Sequence, residues 1–275
     1  MKIIKIILIF ILSELIAYAD ELDKHKENEK GLLFDPLVAN SIEPRLGFIN
    51  RLNTNNVRLD IGISYDLSRI KLNEYIDMAF GADFFTYTKL RKESDFKFPV
   101  ETIDYLFGAN FSLMYDSQES IFMYFLRIRL SHISAHIVDG LADSNIFIKT
   151  PFVYSREFFD ICFALENENI RLYLGSDLIF HSIPDVFSLT NPHFGFELYY
   201  PLPNIKIIGG YDFKLTGIEK KIYPVHSAQV GATYSFSNSL GLFLGFYYYN
   251  GKSIHGMYYQ DIDDYFGIGF QLIYK

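Results

Sequence analysis

The chain has 275 residues, a formal net charge of −8 with 21% charged residues, and a single cysteine. One cysteine excludes a disulfide framework and a cysteine-based zinc site, and the acidic balance argues against nucleic acid as a partner. Aromatic residues make up 17%, as 27 Phe and 21 Tyr without Trp. Past the first 19 residues no apolar run reaches the roughly 18 residues that a spanning helix needs, so the choice is between a Tyr/Phe-rich soluble β protein and a transmembrane β-barrel.

The N-terminus points to export. Met1–Ala19 reads MKIIKIILIFILSELIAYA, with Lys2 and Lys5 ahead of an apolar Ile6–Leu12 core and Ala17-Tyr18-Ala19 before Asp20. That is the pattern of a secretory signal peptide cleaved after Ala19, and its apolar core is too short to span a bilayer. The only cysteine, Cys162, is far from this segment, so no lipid-modified N-terminal cysteine is available. Residues 20–42, opening with the charged run DELDKHKENEK, read as a periplasmic leader, and 43–275 as the barrel.

After residue 40 the dominant period is two. Val57, Leu59, Ile61, Ile63 and Tyr65 alternate with Arg58, Asp60, Gly62, Ser64 and Asp66. Ile103, Tyr105, Phe107 and Phe111 alternate with Asp104, Gly108, Asn110 and Ser112, and His226, Ala228, Val230 and Ala232 with Ser227, Gln229 and Thr233. The pattern predicts twelve strands at 43–51, 56–67, 76–89, 101–116, 119–136, 149–166, 169–181, 191–201, 204–216, 225–236, 239–250 and 261–274. Such long dyad strands suit an antiparallel transmembrane β-barrel, one face to lipid and one to a polar lumen. Tight connections follow the fourth, sixth, eighth and tenth strands, and longer ones follow most odd strands, as outer-membrane barrels arrange them. The first two connections break that rule, 52–55 being short and 68–75 longer. Tyr199-Tyr200, Tyr247–Tyr249 and Tyr258-Tyr259 stand near strand ends, where interfacial aromatic girdles are expected. The inward set Arg58, Arg127, Arg129 and Arg171 against Asp60, Asp66, Asp83 and Asp104 predicts a salt network that fills the lumen.

Several stretches carry a family resemblance. Phe34-Asp35-Pro36-Leu37-Val38-Ala39 leads to Glu43-Pro44-Arg45; His132–Gly140 reads HISAHIVDG; Tyr154-Ser155-Arg156-Glu157 and Arg171–Gly175 follow. Over residues 34–200 the chain resembles a bacterial outer-membrane barrel family catalogued only as a domain of unknown function. That resemblance implies fold and location and leaves chemistry open.

One constellation carries chemistry. His132 and Ser134 form a His-x-Ser pair on the fifth strand, where residues i and i+2 share a face about 7 Å apart. An imidazole so placed can take the hydroxyl proton, provided a third group orients the ring. Alternation from Tyr124, Leu126, Ile128 and Leu130 sends His132, Ser134 and His136 to the lipid face near the upper strand end. Folding the next strand back places Ser155 or Glu157 beside His132, with Glu157 the candidate orienter. The His-x-Ser pair is similar to those of outer-membrane phospholipase A and of the lipid A deacylase. Those enzymes place the third residue about twelve positions after the serine, which here falls on Ile146, one past Asn145.

Other features fit two readings each. Asp261, Asp263 and Asp264 offer oxygen ligands to a hard cation such as calcium, or form a solvated loop. His181, His193, His226 and His255 show no metal-ligand spacing. No cofactor is otherwise implied. The expected partners are outer-membrane lipids and the barrel-assembly machinery, with the oligomeric state open. The leading function is an outer-membrane barrel with a side-chain-filled lumen and no assigned activity; the alternatives are a lipid acyl hydrolase using Ser134 and His132, a narrow channel and an adhesion barrel.

Overall fold

A computed structural model describes residues 31–138, 142–143, 146–147, 149–236 and 240–274. The expected signal peptide, the charged start of the leader and Asn145 lie outside the described residues. Twelve antiparallel strands close into a barrel: β1 (Leu46–Arg51), β2 (Asn56–Lys71), β3 (Ile76–Arg91), β4 (Val100–Tyr115), β5 (Met123–Ile137), β6 (Tyr154–Glu166), β7 (Ile170–Ile183), β8 (Thr190–Pro201), β9 (Ile205–Ile218), β10 (Lys221–Ser235), β11 (Leu240–Lys252) and β12 (Ile262–Tyr274). Each strand pairs with its chain neighbours, and β1 closes the barrel on β12 with Phe48 opposite Phe270. Closure leaves no unpaired sheet edge, the condition for strands in a hydrocarbon solvent. Within the β5–β6 connection, Ala142–Asp143 and Ile146–Phe147 form a small separate ladder.

Alternation decides which way each side chain points. Ile61, Ile63, Tyr65, Phe107, Leu174, Phe194, Val230, Leu244 and Phe246 are exposed on the outer wall. Asp60, Asp104, Asn110, Ser112, Ser227, Gln229 and Thr233 are buried inside. An apolar girdle of this extent far exceeds the few hundred Å² of apolar patch that soluble monomers expose.

Three expectations are corrected. The connection after β2 is short rather than long, because a bulge between Asp66 and Ser68 resets the alternation and lets the strand continue to Lys71. Tyr247 and Tyr249 do not join a girdle; they point inward and pack with Phe243 and Tyr265. Tyr258 lies in the β11–β12 connection, its ring under the ammonium groups of Lys89 and Lys149.

The lumen is filled by more than strand side chains. Residues 32–45, which include the end of the expected leader, run inside the barrel, where Leu33, Phe34, Leu37, Ala39, Ile42 and Glu43 are buried. Leu37 packs with Cys162 and Tyr173, and Phe34 lies under the guanidinium groups of Arg127 and Arg171. The backbone of this segment finds partners on the wall: Leu33 N–H donates to Asp66, Val38 N–H to Glu197, and the Asp35 and Ser41 carbonyls accept from Arg171 and Arg58. From the other end, the β11–β12 connection folds inward, burying His255 and Met257. Met257 joins Ile42, Phe85, Tyr87, Leu106, Ile133, Tyr154 and Phe158 in an apolar core.

Candidate functional site

The predicted residues lie on the outer wall of β5 and β6. His132 is the register partner of Glu157, and Ser134 that of Ser155. Strand alternation explains this: Arg127, Arg129, Ser131, Ile133 and Ala135 are buried inside, so the even-numbered positions face out. His132 Nδ1 lies 2.6 Å from Glu157 Oε1, with 44% of the imidazole side chain exposed against 24% of the carboxylate. Ser155 Oγ donates to the same oxygen at 2.6 Å. His136, one more turn of the pleat along, packs edge-on against Tyr105 at 5.9 Å between ring centres. Ser134 Oγ makes no hydrogen bond among the described residues.

The remaining oxygen of Glu157 is taken by His181 Nδ1, a residue with no motif spacing to His132. Odd-numbered residues of β7 from Arg171 to Ile179 point inward, so strict alternation sends His181 into the lumen. A bulge reverses it. Glu157 pairs with His181 and Phe158 with Ile179, which leaves Phe180 unpaired and turns His181 outward. No periodicity signals that extra residue. The result is one carboxylate clamped between two imidazoles, with Ser134 and Ser155 beside them on an exposed apolar wall.

Two further histidines have structural partners. His226 meets Tyr211 Oη at 2.7 Å. His255 Nδ1 lies 2.8 Å from Asp104, and Gly256 N–H donates to the same carboxylate. Burial, with Arg51, Arg58 and Lys89 nearby, holds the His255 imidazole well below its ordinary pKa, so it is neutral.

The inward salt network forms with partly different acids. Arg58 holds Asp60 at 2.7 Å, and Arg171 holds Glu166 at 2.6 Å and Glu197 at 3.2 Å. Arg127 and Arg129 share Asp160, at 2.9 and 3.0 Å, and Glu43 of the inner segment, at 3.0 and 3.5 Å. Asp83 instead accepts from Asn110, and Asp66 from the inner segment.

Among the described residues, one group lies close enough to hold a metal ion: Asp160, Asp177 and His193, all buried in the lumen. Gly175 makes room for the His193 ring, since a Cβ there would stand 2.5 Å from its Nε2. Arg127 and Arg129 already engage Asp160, and Lys214 engages Asp177 at 2.9 Å, so much of the group's charge is balanced by the protein. Two of the carboxylates expected to attract calcium are also engaged: Asp261 of the β11–β12 connection with Lys149 at 3.2 Å, and Asp263, on β12, with Arg51 at 3.4 Å.

No family model matches the chain, and neither does any curated protein. The resemblance to the barrel family of unknown function therefore stands on the residues 34–200 alone. Among solved structures, the chain is similar to an active-site asparagine-to-alanine mutant of outer membrane phospholipase A from Escherichia coli, with 13% identity, a TM-score of 0.56 and coverage of 91% of this chain and 95% of that one. It is also similar to the calcium-bound dimer of the Salmonella typhi outer membrane phospholipase, with 14% identity, a TM-score of 0.55 and coverage of 90% and 94%. At such identity the likeness shows the fold, which is that of an outer-membrane β-barrel.

Proposed function

We propose that the protein is a bacterial outer-membrane barrel, exported by removal of Met1–Ala19, whose outer wall carries a lipid acyl hydrolase site. The observation that carries this reading is the pairing of His132 Nδ1 with Glu157 at 2.6 Å, with Ser134 on the same exposed strand face. A carboxylate on Nδ1 fixes the tautomer that leaves Nε2 free to act as a base. An apolar wall beside it brings a lipid ester to the site.

In this mechanism Ser134 Oγ attacks the acyl carbonyl while its proton passes to His132 Nε2, and Glu157 stabilises the imidazolium. Collapse of the tetrahedral intermediate breaks the ester bond, and the departing alkoxide takes the proton from Nε2. Water, deprotonated by the same nitrogen, then releases the fatty acid and restores Ser134. The carboxylates nearest this chemistry and those of Asp261 and Asp263 are already committed to imidazoles and cations, so no step is routed through calcium.

The filled lumen favours this reading over a channel, since residues 32–45 and the β11–β12 connection occupy the interior. The test is release of fatty acid from phospholipid or lipid A by detergent-refolded protein, with and without calcium. Activity that disappears in Ser134→Ala while the barrel remains folded supports the hydrolase. No activity on either lipid, or full activity in Ser134→Ala, leaves a non-enzymatic barrel.

A further inference from the structure

The lumen is not filled completely. Between Asn40–Ile42 of the inner segment and the inward-folded Ser253-Ile254 a small open cavity of ≈ 60 Å³ remains. Its charged lining consists of Arg156, Lys214 and Lys252 against Asp177 and Asp212. Most of these are accounted for within the protein. Lys214 donates to Asp177 at 2.9 Å, and Asp212 accepts from Tyr173 Oη at 2.8 Å. Lys252 donates to the Gln260 carbonyl and has no carboxylate partner among the described residues.

Arg156 stands apart. Among the described residues its guanidinium makes no hydrogen bond and no ion pair, and its Nε is shielded from solvent without a partner. It rests against two aromatic faces, 5.1 Å from the Phe158 ring centre and 5.7 Å from that of Phe187. The acid nearest in sequence, Glu157, points to the opposite face of the sheet and is held there by two histidines. Nη1 and Nη2 are not shielded, so the planar fork is open to the cavity, and it matches a carboxylate or phosphate in two parallel hydrogen bonds. Beside it, Phe187 and Tyr259 lie 5.6 Å apart and offer an apolar wall.

We propose that this cavity binds a small organic anion, its carboxylate or phosphate on Arg156 and its apolar body against Phe187 and Tyr259. A few convergent polar groups on an aromatic wall are the usual chemistry of small-molecule sites. Lys252, the other cation of the lining without a carboxylate partner among the described residues, supplies longer-range attraction at the loop side of the cavity. The site lies inside the barrel, on the reverse face of the strand that carries Ser155 and Glu157, and it does not depend on the hydrolase reading.

The test is calorimetric titration of the full refolded barrel in detergent with benzoate, inorganic phosphate and, as a neutral control, benzyl alcohol. One equivalent of benzoate or phosphate should bind per barrel, the tighter of the two identifying the headgroup, and benzyl alcohol should bind at least about tenfold more weakly. Arg156→Gln should weaken the anion at least about tenfold, and Arg156→Lys should retain part of the affinity. Should Arg156→Gln fail to fold, Lys252→Gln in the otherwise intact barrel should weaken the anion several-fold. Absence of binding by both anions, benzyl alcohol as tight as benzoate, or unchanged affinity in the folded variants would overturn the proposal.

Discussion

His132 and Glu157 are direct partners across the β5–β6 ladder, Nδ1 to Oε1 at 2.6 Å, although 25 positions separate them in the chain. The same carboxylate holds His181 from the other side, so each variant of this group should carry its own signature. In fatty-acid release by refolded protein, His132→Ala should lose about 10²–10⁴-fold. Glu157→Gln should lose less, because an amide oxygen still accepts from Nδ1 but cannot balance the imidazolium. His181→Ala should lose least, and His136→Ala should leave the chemical step nearly intact. A loss in His181→Ala equal to that in His132→Ala would assign the base to the wrong imidazole.

The two faces of the wall should respond differently to charge. Phe107 is 50% exposed on the outer face, whereas Asn110, three residues on, is buried inside. Phe107→Arg should cost about 2–4 kcal/mol if it lies near the bilayer midplane. Ile207→Arg should behave similarly, and Arg at Asn110 or Gln229 should be milder. Denaturant unfolding in lipid vesicles measures the difference, and equal penalties on both faces would contradict insertion in this register.

Glu43 ties the inner segment to the wall through Arg127 and Arg129. Removing it leaves two buried guanidinium groups sharing only Asp160. Glu43→Ala should therefore destabilise the barrel by about 3–5 kcal/mol. Ser41→Ala, which loses one 3.1 Å contact with Ser227, should cost only about 1 kcal/mol. Unfolding midpoints of the two variants provide the comparison; a cost for Glu43→Ala no greater than for Ser41→Ala would mean that the segment is not anchored by this cluster.

His255 gives the fold a sensitivity to acid. Its folded pKa is depressed, chiefly by burial, so below about pH 6.5 the unfolded chain takes up a proton that the folded protein refuses. Stability is thus present above that pH and is lost as the pH falls toward the folded value, by up to about 1.4 kcal/mol per pH unit. His255→Gln should be less stable than wild type at pH 7.5 and show a flatter decline between pH 6.5 and pH 5. Parallel declines would place the acid sensitivity elsewhere.

The sequence by itself determined the strand count, the two faces of the wall and the outward placement of His132, Ser134 and Glu157. The physical reason is local: a side-chain period of two, once one face is apolar, fixes both register and facing. Periodicity could not locate the bulges, because an extra residue changes the parity of everything after it. Hence β2 runs past its expected end to Lys71, and His181 reaches Glu157 from a position that alternation assigns to the lumen. The filling of the barrel was likewise decided only by tertiary structure. Residues 32–45 have no strand period, and their place inside follows from barrel closure, which brings Arg58, Arg127, Arg129 and Arg171 from separate strands around one lumen. Those cations need buried acceptors, and Glu43 with the carbonyls of Asp35 and Ser41 supplies them at distances along the chain that no spacing rule encodes.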